Sequence, residues 1–230
     1  YMTSTRSPDW TINYTKSCII GLVMQNLATA KPLLVVTIGH PGAGKSFFAR
    51  QFAETFNAPL ISFDEIRSEL FNETTYTADE DVIVARVAGL QLRELFKTKK
   101  TVIIDGGHNP KISRTELRKV ARQQGYDVLN VWVQTDKQTS YDRATRRSPK
   151  NERDSLNRSL SNQEFVALSG KFTPPNEQEP FVVISGRHTY ATQARIVLKK
   201  MVNAHENTEA TPSLRPQPSQ NNGRRIVSIG

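Results

Sequence analysis

The sequence predicts a three-layer α/β/α sandwich built on a five-stranded parallel sheet, and two observations carry that prediction. Short apolar runs that read as strands alternate five times with segments of helical periodicity. Each run is almost continuously apolar, which is the pattern of a strand buried on both faces and reached by a right-handed crossover. In such a sheet, binding sites lie at the carboxyl ends of the strands.

The first strand is Leu33-Leu34-Val35-Val36-Thr37-Ile38, and Phe48, Phe52 and Phe56 then recur at helical spacing across 47–56. Between the two stands Gly39-His40-Pro41-Gly42-Ala43-Gly44-Lys45-Ser46, which matches G-x-x-x-x-G-K-[ST] at every defined position. Glycines there let backbone N–H groups close on phosphate oxygens, and the helix that follows points its positive end at the same oxygens. Lys45 is then placed to bridge phosphates and the Ser46 hydroxyl to ligate Mg²⁺, so the segment reads as a phosphate-binding loop for ATP. Pro59–Phe63 is the second strand and delivers Asp64, Glu65 and Arg67 to the loop side. Asp79-Glu80-Asp81 opens a helix through about Phe96, with acids at its positive end. Its expected buried face carries Ile83, Val87 and Leu90, with Val84, Ala88, Leu92 and Leu95 beside them.

Thr101–Asp105 is a third strand ending in an acid, which suits either a carboxylate that holds the metal's water or a loop anchor. Ser113 and Glu116 suggest a capping box, Ile112 and Leu117 a hydrophobic staple, and Gly125 a helix stop. Val128–Val133 and Phe181–Ile184 complete the strands. Lys137–Arg147 reads as an arginine-rich helix, 154–168 as a further helix, Pro174-Pro175 as a turn and Tyr190–Val202 as the closing helix.

At 230 residues and 25.9 kDa the chain suits one core with extensions, and its hydrophobic fraction of 37% places some residues outside that core. The expected division is an arm and short amphipathic helix over 1–31, a core over 32–203 with a lid near 137–175, and a disordered tail over 204–230. Cys18 stands alone and the apolar run around it is too short to span a bilayer, so a cytoplasmic protein with no membrane partner is expected. The net charge of +9 is unevenly spread: 54–81 holds eight acids and one base, whereas Lys111–Arg122 holds five bases and one acid. Basic segments of this kind fit a nucleotide as well as a polynucleotide.

With the loop, Asp64-x-x-Arg67 and Arg143-x-x-x-Arg147 in view, the chain resembles the P-loop kinases of the polynucleotide-kinase and zeta-toxin type over roughly Leu33–Met201. The resemblance implies a P-loop NTPase fold, kinase-like, with an arginine-rich lid. It implies Asp64 as general base for an attacking hydroxyl and Arg67 as a contact for substrate or phosphate. Arg143 and Arg147 would close on the γ-phosphate, and Asp105 would hold the Mg²⁺-bound water. Read from the residues alone, Asp64 is also a good helix cap and the arginines a good solvated face. Related kinases often carry Asp-x-Thr-Asn after the third strand, where this chain has Asp105-Gly106-Gly107-His108. The activity expected is Mg²⁺-ATP-dependent transfer of phosphate to a hydroxyl, on a nucleic-acid 5′ end or on a small molecule. A nucleotide switch working through a protein partner, or a zeta-type toxin kinase, are the alternatives.

Overall fold

The computed structural model describes residues 31–146 and 159–209. The expected N-terminal arm and helix, Arg147, the first part of the 154–168 helix and the tail beyond residue 209 lie outside them. The described chain runs β1 (Leu33–Ile38), α1 (Lys45–Phe56), β2 (Leu60–Ser62), α2 (Phe63–Leu70), α3 (Ala78–Lys97), β3 (Val102–Asp105), α4 (Lys111–Gln123), β4 (Asp127–Gln134), α5 (Lys137–Thr145), α6 (Asn162–Gly170), β5 (Phe181–Ser185) and α7 (Tyr190–Glu209). The five strands form one sheet in the order β2-β3-β1-β4-β5, parallel throughout. Its central strand is β1, so the loop that leaves β1 emerges where the winding reverses.

The apolar composition of β1 follows from burial on both faces. Leu34, Val36 and Ile38 point to one side, where they meet Val84, Ala88, Leu92 and Phe96 of α3 and Leu117 and Ala121 of α4. Val35 points to the other, toward Phe48 and Phe52 of α1 and Val197 and Met201 of α7. On α1 the phenylalanine repeat makes a ladder, with Phe48–Phe52 and Phe52–Phe56 ring centroids 5.2 and 4.6 Å apart.

Several boundaries and faces differ from expectation. On α3 the buried stripe is Val84, Ala88, Leu92 and Phe96, while Ile83 and Leu90 face solvent. The apolar residues of this helix surround most of its circumference, so periodicity alone did not single out the face that the sheet covers. No capping box forms on α4: Pro110 is its N-cap and Ile112 is 71% exposed, which also removes the staple. The Ser113 hydroxyl is instead engaged with His108 Nδ1 and the Gly107 carbonyl. A capping box does form at the start of α6, between Ser161 and Glu164. The turn expected at Pro174-Pro175 falls at Glu177-Gln178, where the Asn176 side chain accepts from Gln178 N. The arginine helix ends at Thr145, and α7 continues past Val202 to Glu209.

The face assignment on α3 is testable by denaturant unfolding. Leu92, 7% exposed, should cost about 2 to 5 kcal/mol when cut to alanine, whereas Leu90, 54% exposed, should change stability by less than about 0.5 kcal/mol.

Candidate functional site

The loop between β1 and α1 is packed against other backbone, and two of its contacts require glycine. Gly42 has φ 76°, and a Cβ there would overlap the Ser140 carbonyl of α5. Gly186, just after β5, lies so close that a Cβ on it would overlap the Ala43 carbonyl. The Thr135 hydroxyl donates to that same carbonyl at 2.9 Å. The loop is therefore held in shape by groups from the ends of β4 and β5.

One side of the loop opens on a cavity of about 1050 Å³. Pro41, Gly42, Gly44, Lys45 and Ser46 line it, whereas Gly39, His40 and Ala43 do not. The Lys45 ammonium donates to the Gly39 and His40 carbonyls at 3.0 and 2.9 Å. His40 turns to the other side of the loop, where its ring meets Phe172 edge-on at 4.9 Å. Burial, then the charges of Lys45 and Lys137, hold its imidazole below the ordinary range, so it is neutral at neutral pH.

Asp64, Arg67, Asp105 and Arg143 line the same cavity as Lys45 and Ser46. Asp64 lies in the first turn of α2, because the strand ends at Ser62 and the helix begins one residue before Asp64. The cap is Ser62, whose hydroxyl accepts from Glu65 N, so Asp64 is not the capping residue. Asp105 ends β3 beside Thr37 of β1, and the Thr37 hydroxyl donates to Asp105 Oδ1 at 2.6 Å. Only 4% exposed, Asp105 is held in one orientation at the cavity floor. Arg143 donates from Nη1 to the Gly186 carbonyl at 3.1 Å, and Arg146 also lines the cavity, beside its intrahelical partner Asp142. The second lid arginine, Arg147, lies outside the described residues.

Arg67 has structural work as well. Its guanidinium pairs with Glu80 at 2.8 Å and with Asp81, and it stacks on the Tyr76 ring at 4.8 Å. Asp81 in turn meets Lys171 from beyond α6 at 3.2 Å. Glu80 accepts from Thr75 and Tyr76 as well as Arg67, and these bonds, the Thr75 hydroxyl first, hold its carboxyl at about 2 against some desolvation. Two acids of the 54–81 segment are thus neutralised in place.

A residue not anticipated from sequence is Asn109. Its amide accepts from Gly39 N and donates to the Gly39 carbonyl, each at 3.1 Å, gripping the first residue of the loop. The stretch after Asp105 carries one residue more than Asp-x-Thr-Asn, and Gly106 and Gly107, both at positive φ, accommodate it. Counting back from Asn109 across the two glycines was the available signal. His108, which falls at the asparagine position of that pattern, faces Phe63 edge-on at 5.6 Å and bonds Ser113.

Ser46 and Asp105 offer hard oxygen donors and few of them, as suits Mg²⁺, which keeps waters and takes further oxygens from phosphates, and the Thr37 hydroxyl orients Asp105. Among the described residues no group of three or more His, Cys, Asp or Glu side chains is arranged to hold a metal ion. No helix of the described residues is long and apolar enough to cross a membrane.

Desolvation, and after it the charge of Arg114, lowers the His108 imidazole from 6.5 to about 4. Between those values the unfolded chain binds a proton that the folded chain refuses, so acidification through that window should destabilise the fold. The measurement is the urea midpoint as a function of pH: His108→Gln should lose less stability than the parent on going from neutral pH into that window.

Comparison with known proteins bears on the whole arrangement. No curated protein matches the sequence. A family model described as an AAA domain matches residues 34–166, more than half of the chain. Among solved structures, a gluconokinase from Sinorhizobium meliloti 1021 superposes with a TM-score of 0.53 at 17% identity, covering 78% of this chain and 97% of its own. Kti12 from Chaetomium thermophilum, in complex with ADP-AlF3, gives 0.55 at 19% identity over 75% of this chain and 98% of its own. The Mycobacterium tuberculosis APS kinase, in complex with AMPPNP and APS, gives 0.54 at 18% identity over 75% and 98%. With the phosphate loop at the centre of the sheet and strands in the order 2-3-1-4-5, the chain belongs to the AAA-domain family, and its fold is that of the P-loop kinases.

Proposed function

We propose that the protein is a Mg²⁺-ATP-dependent kinase that transfers the γ-phosphate to a hydroxyl. The observation that carries this reading is the convergence of Lys45, Ser46, Asp64, Asp105 and Arg143 on one cavity, from four separate segments of chain. The loop N–H groups and the ammonium of Lys45 bind the triphosphate, with the Gly39 and His40 carbonyls the contacts that Lys45 exchanges for phosphate oxygens. Ser46 and Asp105 hold the metal, which neutralises charge on the phosphates when bound. Asp64 takes the proton of the acceptor hydroxyl: it sits in the first turn of α2, at the end of β2, and lines the same cavity as Lys45 and Ser46. Arg143 reaches over the site from α5, where a guanidinium stabilises charge developing on the transferred group.

Arg67 and the acceptor are linked. Six basic side chains line the cavity (Lys45, Arg50, Arg67, Arg143, Arg146, Lys171) against three acidic ones (Asp64, Asp81, Asp105). Lys45, Arg143 and Arg146 face the triphosphate, which leaves Arg67 and Lys171, bridged by Asp81, on the acceptor side. Because Glu80 and Asp81 are paired to Arg67 and Lys171, the acid-rich segment 54–81 is compatible with an acceptor that carries negative charge. A nucleic-acid 5′ end and a small phosphorylated or carboxylated alcohol are both of that kind.

The test is transfer of labelled γ-phosphate from Mg²⁺-ATP to a panel of 5′-hydroxyl oligonucleotides, nucleosides, sugars, sugar acids and sugar nucleotides. Transfer to one class should fall by about 10² to 10⁴ in Asp64→Asn with ATP binding retained. It should vanish in Lys45→Ala, and normal turnover there would overturn the loop assignment. Label appearing only as inorganic phosphate would shift the reading to a nucleotide switch.

A further inference from the structure

We infer that Arg114 and Glu179 are positioning residues for the phosphate loop, acting through Asn109. The inference rests on the reading that this loop binds nucleotide phosphates, and it adds residues that no sequence motif marks.

Arg114 of α4 and Glu179, just before β5, form the most enclosed ion pair among the described residues, 2% and 4% exposed. The contact is two-pronged, Nε to Oε2 at 2.6 Å and Nη2 to Oε1 at 3.1 Å. Burial pushes the Glu179 carboxyl up, but the hydrogen bond and charge of Arg114 more than reverse this and leave it below the ordinary range. A buried ion pair is a poor device for stability, because desolvating two charges cancels most of their attraction and apolar residues of the same volume do as well. What the pair provides instead is an oriented guanidinium with one nitrogen to spare.

That nitrogen, Nη1, donates to the Asn109 carbonyl at 2.6 Å. The same carbonyl accepts from Thr173 N at 3.1 Å. Asn109 is thereby fixed through its main chain from two directions, and its side-chain amide passes that fixity to both backbone groups of Gly39. Gly39 is where the chain turns from β1 into the loop, so its peptide orientation sets the direction of the N–H groups that follow. The relay runs from Glu179 to Arg114, to Asn109, to Gly39, and every link is a hydrogen bond. It also ties the loop to the segment that follows α6, since Thr173 and Glu179 both belong to it and Phe172 packs on His40.

Three full-length variants separate positioning from stability: Asn109→Ala, Asn109→Asp and the double change Arg114→Met with Glu179→Leu. The aspartate keeps the acceptor for Gly39 N but sets a carboxylate oxygen against the Gly39 carbonyl. The double change removes the pair without stranding a charge, which spares the fold. The readouts are the ADP dissociation constant by calorimetry and the melting temperature without nucleotide. Each variant should weaken ADP about tenfold, the loss of one to two net hydrogen bonds, with Asn109→Asp weakest and the nucleotide-free melting temperature of the double variant near the parent's. Parental ADP affinity in Asn109→Ala and in the double variant would overturn the proposal, as would a lowered melting temperature with unchanged affinity. No ADP binding by the parent protein would overturn the phosphate-loop reading, and the proposal with it.

Discussion

The phosphate loop is packed backbone against backbone. Gly42 abuts the Ser140 carbonyl and Gly186 abuts the Ala43 carbonyl, with no side chain between, and the Asn109 side-chain amide holds both polar groups of Gly39. Such contacts tolerate no added volume, because carbonyl oxygens on a fixed strand end or helix cannot move aside as a flexible side chain can. They also explain the topology. Segments after β3, β4 and β5 must all reach one loop, and only a central β1 in an all-parallel sheet brings the carboxyl ends of those strands to it.

From this packing follows a division of labour around the loop. One side presents Lys45 and Ser46 to the large cavity, and the other makes supporting contacts, His40 with Phe172 and the buried Ala43 with Thr135. The acidic groups divide in the same way. Asp105 is steered by Thr37, and Glu80 and Asp81 are spent on Arg67 and Lys171. Asp64 stands at the α2 end of the cavity with the cap supplied by Ser62.

How much of this the sequence disclosed depended on whether the determining contact was local. The loop, β1 and α1 were legible because their signals are short-range: glycine spacing, an apolar run and a phenylalanine every fourth residue. The buried face of α3 was not, because apolar residues ring that helix and only the sheet selects Val84, Ala88, Leu92 and Phe96. Ser113 and Glu116 had the spacing of a capping box, but the Ser113 hydroxyl is claimed by His108 and Gly107, and Pro110 had already capped the helix three residues earlier. Each failure has one cause. A local pattern was outcompeted by a partner distant in sequence or by a neighbour with better geometry.

Asn109 shows the same rule at the site itself. Nothing local marks an asparagine before a proline as a clamp, since a turn is its commoner setting. Its function depends on Gly39, 70 residues earlier, and on Glu179, later still and reached through Arg114. Gly106 and Gly107, both at positive φ, carry the chain from the end of β3 toward Asn109. The side chain thereby arrives where it meets both polar groups of Gly39.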